Sequence, residues 1–185
     1  MPTVPLTCHP QTATEAVHTI SVWPSRDCET LRLSFVLSGD LERLRIPPPC
    51  PPRAGRELWR HTCFEAFVGV AGAAGYHELN LAPSGEWTIY AFDRYRDGAP
   101  LAAVARPPRI VVGASPGELE LDALIDLSAL SSASATAPLR IALAAVVEET
   151  SGALSYWALW HPPGAPDFHH ADGFTLRLEP PSAAC

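Results

Sequence analysis

Between Leu58 and Tyr95 the chain reads LWRHTCFEAFVGVAGAAGYHELNLAPSGEWTIYAFDRY, three runs in which residues of two kinds alternate. Phe64, Ala66, Val68 and Val70 alternate with Cys63, Glu65 and Phe67. Leu79 and Leu81 alternate with Tyr76, Glu78 and Asn80, and Trp87, Ile89 and Ala91 with Thr88, Tyr90 and Phe92. A period of two predicts strands. The runs are separated by Gly72 to Gly75 and by Pro83-Ser84-Gly85, both turn-forming. Pairing Leu81 with Ile89 and Leu79 with Ala91 keeps one side of the second hairpin aliphatic. It sets Glu78 beside Phe92 and Asn80 beside Tyr90 on the other side.

The same alternation predicts strands at Val17 to Trp23, Leu31 to Leu37, Ile110 to Val112, Glu118 to Ile125, Leu139 to Val147, Leu154 to His161 and Phe174 to Leu178. Arg94 to Pro108 and Ser128 to Pro138 read as loops. No stretch has a helical period, so the expected fold is all-β: a two-sheet antiparallel β-sandwich or jelly roll. Residues 1–185 are expected to form one domain, at a length usual for one. Within it, 47–58 is a Pro-rich internal loop, either a stiff connector or an SH3-type ligand, and 180–185 a flexible tail.

Composition narrows the function. A net charge of −7 and a sequence pI of ≈ 5.4 argue against nucleic acid as a partner. All 13 basic residues are Arg, which excludes a Schiff-base or P-loop lysine within the chain. The five cysteines are scattered without a CxxC pair, and reduced thiols are expected. The N-terminal residues lack a charged, apolar leader and no run is long enough to span a bilayer, so no membrane partner and a cytoplasmic location are expected.

Gly113-Ala114-Ser115-Pro116-Gly117 matches the G-x-S-x-G nucleophile elbow in letters only. The residue after the serine is Pro116, which has no N–H for an oxyanion hole, and a strand follows. This is a β-turn. In HPPGAPDFHHADG, His161, His169 and His170 lie near Asp167 and Asp172, but no standard zinc spacing is present, and no metal is assigned. Glu65 and Glu78 fall on neighbouring strands. They are either a carboxylate pair for glycoside hydrolysis or acceptors for a ligand's hydroxyls. Trp59, Tyr90, Trp157 and Trp160 supply flat rings near these polar groups, as a ligand cleft requires, while Trp87 belongs to the aliphatic side and the core.

Three segments, LWRHTCFEAFVG, YHELNLAPSGEWTIYAFDRYR and SYWALWHPPGAPDFHH, together resemble the bacterial DOMON-like domains, a group related to the family-nine carbohydrate-binding modules. The resemblance implies a β-sandwich that binds a small ligand, with sugars and haem as the ligand classes of the wider superfamily. Haem held by Met and His is excluded, since the only Met is Met1. No cofactor is therefore expected. The expectation is a non-catalytic domain for a carbohydrate-type ligand, with Trp59, Glu65, Glu78, Asn80, Tyr90, Trp157, Trp160, His161 and His169 at the site. A hydrolase acting through the carboxylates or the late His/Asp loop is the alternative, and a protein-interaction scaffold the third reading.

Overall fold

In the computed structural model, residues 2–181 are described; 182–185, most of the expected flexible tail, lie outside the described residues. The strands are β1 (Val4–Cys8), β2 (Val17–Arg26), β3 (Thr30–Gly39), β4 (Cys63–Val70), β5 (Tyr76–Leu81), β6 (Trp87–Arg94), β7 (Asp97–Pro100), β8 (Arg109–Ser115), β9 (Glu118–Asp126), β10 (Leu139–Glu148), β11 (Leu154–Ala158) and β12 (Leu176–Leu178). One layer runs β1-β2-β3-β9-β8. The other runs β1-β11-β10-β4-β5-β6-β7, with β12 beside the start of β10. Both are antiparallel throughout. Strand β1 belongs to both layers: Val4 to Leu6 pair with β2, then Thr7 and Cys8 pair with β11. A strand that changes sheet in this way makes a corner of the sandwich.

The core lies between the layers and takes alternate residues from each. Ile20, Leu33, Phe35 and Leu121 of the first layer meet Phe64, Leu79, Ile89, Ile141 and Leu143 of the second, all essentially inaccessible to water. Phe35 and Phe64 stack at a tilt with centroids 5.0 Å apart, tying the sheets at mid-core. Trp87 is buried in the same cluster, as its place in the alternation requires.

Strand β10 is apolar on its core face and over the middle of its outer face. Leu139, Ile141, Leu143 and Val147 point into the core, and Ala142 and Ala144 take the outer face. Those two alanines leave room for a second apolar cluster outside the sandwich, where Phe67 and Tyr76 pack with Phe168 and Phe174 of the chain after β11. This second layer of packing carries the site.

The structure corrects several expectations. The β5–β6 register is Leu79 with Ile89, Glu78 with Tyr90 and Leu81 with Trp87, two residues from the expected pairing. Gly85, at φ +89°, lets a tight loop close with Ala82 and Glu86 facing, as Ala82 N–H donates to the Glu86 carbonyl at 2.9 Å. A shift of two keeps every side chain on its face. Strands β1 and β7 lie where none was expected, and β11 ends at Ala158, short of His161. Residues Ser132–Thr136 form a one-turn helix, α1, inside the stretch read as a loop. Arg26, at the end of β2, donates to the Ser134, Ala135 and Ala137 carbonyls and so satisfies groups the short helix leaves open. Cys8, Cys50 and Cys63 are free thiols, whereas Cys28 is disulfide-bonded, so the thiols are not all reduced.

Candidate functional site

The outer face of the β10-β4-β5-β6 sheet is roofed by the residues after β11 and by the turn Leu58–Arg60. A cavity of ≈ 350 Å³ lies between roof and sheet. From the sheet come Glu65 and Phe67 (β4), Glu78 (β5), Tyr90 and Phe92 (β6), Val146 (β10) and Tyr156 (β11). Trp59, Arg96, Pro166, Phe168 and His169 close the sides and top. Alternation explains the floor: these strand residues are the ones left over when the odd-parity aliphatics of β5 and β6 and their counterparts in β4 and β10 enter the core.

The Pro-rich loop positions Trp59. Its backbone runs beside β6, with Cys50 N–H donating to Ser84 O at 2.9 Å and Gly55 N–H to Trp87 O at 2.9 Å. Thr88 Oγ1 donates to Gly55 O at 3.0 Å. Anchored so, the loop delivers Leu58–Arg60 to the rim, where the Trp59 ring is 42% exposed with the Arg60 guanidinium 5.1 Å from its centre.

His169 holds the roof down. Tyr76 Oη accepts from Arg96 N–H at 3.3 Å and shares a hydrogen bond with His169 Nδ1, 2.9 Å away. Nε2 of the same ring lies 3.5 Å from Glu78 Oε2. The imidazole packs edge-on to Phe67 at 5.1 Å and Phe92 at 5.0 Å. Burial, reinforced by the Arg96 charge, lowers its pKa to about 4, so the ring is neutral at pH 7. Arg96 has φ +55° in the two-residue turn between β6 and β7. Its guanidinium donates to Asp167 Oδ1 at 2.8 Å, and Tyr95 Oη donates to Asp167 Oδ2 at 2.9 Å. This clasp joins the turn to the roof and offsets the left-handed backbone.

The two carboxyls differ. Asn80 Nδ2 donates to Glu78 Oε1 at 2.6 Å, whereas the buried Glu65 Oε1 has no hydrogen-bond partner. Burial raises both above the usual carboxylate range, and the neighbouring Glu78 raises Glu65 further. Glu65 is therefore the member held further above the usual carboxylate range.

Of the expected site residues, Trp59, Glu65, Glu78, Tyr90 and His169 come together on this cavity. Asn80 lies beneath it, fully buried, acting on Glu78. Three do not join them. Trp157 points inward at 6% exposure, its indole N–H donating to Ser155 Oγ at 3.0 Å. His161 Nε2 donates to Thr7 O at 2.8 Å, pinning the end of β11 to β1. Trp160 packs on His170 at 5.0 Å. His170 in turn accepts from Asp172 N–H through Nδ1, so the late histidines serve separate local bonds. Among the described residues no group of three or more His, Cys, Asp or Glu could hold a metal ion.

The sequence reading missed Phe67, Phe92, Arg96, Val146, Tyr156, Pro166 and Phe168. For Phe67 and Phe92 the signal was present, since each shares alternation parity with Glu65 or Tyr90. Arg96, Pro166 and Phe168 lie on connections without a period and left none.

No family model matches the chain, and no curated protein matches it in sequence. Solved structures do match. A Bacteroides uniformis ATCC 8492 protein, provisionally described as carbohydrate-binding, superposes with a TM-score of 0.72 at 14% identity, over 97% of this chain and 86% of its own. A family-nine carbohydrate-binding module from Caldicellulosiruptor kristjanssonii, solved with glucose, gives a TM-score of 0.55 at 11% identity, over 94% and 81%. The chain shares the fold of a family-nine carbohydrate-binding module. At these identities the likeness extends to the β-sandwich and stops short of side chains.

Proposed function

We propose that the protein is a non-catalytic binding domain of the DOMON-like kind for a small carbohydrate-type ligand, held in the cavity under the 166–174 roof. The observation that carries this reading is Glu65: a buried acid on the wall of a ring-lined hollow, whose carboxyl leaves Oε1 without a protein donor. A buried polar atom left unpaired is costly, and a ligand hydroxyl would relieve it. Flat rings with a few oriented polar groups suit a sugar, and ≈ 350 Å³ lies at the small end of the range for small-molecule sites. Two structural neighbours support the ligand class: one is described as carbohydrate-binding, the other holds glucose.

The test is a thermal-shift and calorimetric screen of mono- and disaccharides. A bound sugar raises the melting temperature, by about 2.7 kcal/mol of added stability at one hundred times the Kd. A smaller shift in Glu65→Gln or Trp59→Ala supports the site. Absence of any shift across the panel contradicts the reading.

The presence of two buried acids on one wall favours a second reading, a glycoside hydrolase with Glu65 as proton donor. Aryl-glycoside turnover abolished by Glu65→Gln, with the fold intact, would establish it.

A further inference from the structure

The cavity holds more acid than its own cations balance. Arg96 is the one guanidinium among the lining residues, and Asp167 already accepts from it at 2.8 Å. The Asn80 amide is committed to Glu78, and His169 turns its Nε2 to Glu78 rather than Glu65. Glu65 thus has neither a donor nor a counter-charge. Aromatic side chains line the same cavity: Trp59 at the rim, Phe67 and Tyr90 on the floor, and Phe168 above. Aromatic faces carry negative potential and attract cations, most strongly where water is excluded.

The geometry points to a ligand that brings its own positive charge: an amino sugar with a free ammonium group, its nitrogen at the Glu65 carboxyl and its ring against the aromatic walls. This rests on the carbohydrate reading of the same cavity and narrows it. Without ligand, a proton on Glu65 removes the uncompensated charge. With ligand, the ammonium replaces that proton as the source of neutrality. The Glu65 carboxylic acid then releases its proton to solvent and becomes the carboxylate that pairs with the R–NH₃⁺. One proton leaves for each ammonium bound, and no covalent bond other than that O–H is broken.

Other titratable groups lie on or beside the same cavity. Cys63 lies on its own strand, with a thiol pushed up by burial and by Glu65 itself. Glu78 comes from β5, Tyr90 from β6, and Tyr156 from β11. Arg96 and His169 come from the connections, with Asp167 behind Arg96. Glu148, farther along the outer face of β10, is held by Arg45 at 2.9 Å and His61 at 2.7 Å. Glu78 keeps its hydrogen bond throughout, so Glu65 is the group that exchanges its proton.

Isothermal titration of the full chain with glucosamine, glucose and N-acetylglucosamine tests this directly. Glucosamine should bind at least about tenfold more tightly than the other two, a preference typical of a desolvated cation among rings and carboxylate. Its affinity should rise as the pH goes from about 5 to about 7, by up to about tenfold per unit, as linkage to one released proton requires. The heat should differ between buffers of different ionisation enthalpy. Glu65→Gln should bring the three sugars to within about twofold of one another. Equal affinity of glucosamine and glucose in the wild-type chain overturns the inference and leaves the carbohydrate reading standing. Binding of none of the three overturns both.

Discussion

Asn80 and Glu65 are direct cross-strand partners in the β4–β5 ladder, yet the Asn80 amide runs along its own strand and donates to Glu78 at 2.6 Å. The one carboxamide in reach of two buried acids thus serves one of them. Glu78 is held as an acceptor, and Glu65 is left to the cavity. The asymmetry in pKa causes follows from that single choice of partner.

Glu65 costs stability, and the sign can be worked out. The unfolded carboxyl loses its proton near 4.5, while the folded one keeps it to well above that value. Above 4.5 the native state therefore binds more protons than the unfolded one, so stability falls as pH rises through this window. Glu65→Gln should remove that slope and make the chain more stable at pH 7, on the order of 1–3 kcal/mol, because it replaces a buried ionisable group by a neutral isostere. Urea melts of both proteins at about pH 5 and pH 7 check it; a less stable variant at pH 7 contradicts the assignment.

Asn80→Ala should act in the opposite direction. It leaves Glu78 Oε1 buried and without its 2.6 Å donor, a loss of about 1–3 kcal/mol. Equilibrium denaturation measures it, and an unchanged midpoint would show that the bond carries little.

His169 gives the roof a sensitivity to acid. An unfolded imidazole takes up a proton near 6.5, the folded one only near 4, so the unfolded state binds more protons between these values. Stability contributed by the neutral ring is full above 6.5 and is lost as pH falls towards 4, by about 2–3 kcal/mol. The Glu65 effect has the reverse slope, so the comparison is wild type against His169→Gln. That variant should lose the acid-side drop, and hydrogen exchange in residues 166–174 should become faster at pH 7. Identical pH profiles would sink the assignment.

Trp59→Ala separates the rim from the scaffold. The ring is 42% exposed on a short turn, so its removal should change stability by no more than about 0.5 kcal/mol while weakening ligand binding and removing ligand-dependent fluorescence change. A large loss of stability would show the ring to be structural.

Alternation made the faces legible: the parity of Glu78, Asn80 and Tyr90, set against Leu79, Leu81 and Ile89, separated the cavity floor from the core. Parity says which side a residue takes but not its offset along the partner, and the β5–β6 register came out shifted by two for that reason. It could not say which of Tyr156 and Trp157 faces inward, since both strand faces there are buried; packing against β10 decided for Trp157. The short β1 contains Pro5, and β7 is exposed at every position, so neither shows a pattern. The roof was least legible, because its placement depends on long-range contacts, Arg96 with Asp167 and Tyr76 with His169, between segments with no period.

The most direct test of the cavity as the binding site is a crystal structure grown with saturating glucosamine. Density between the Phe67 and Tyr90 rings, within about 3 Å of the Glu65 carboxyl, is the predicted result. Density elsewhere, for instance in the hollow formed by Trp87 and Leu101 to Val104, with the space beside Glu65 empty, would contradict the account.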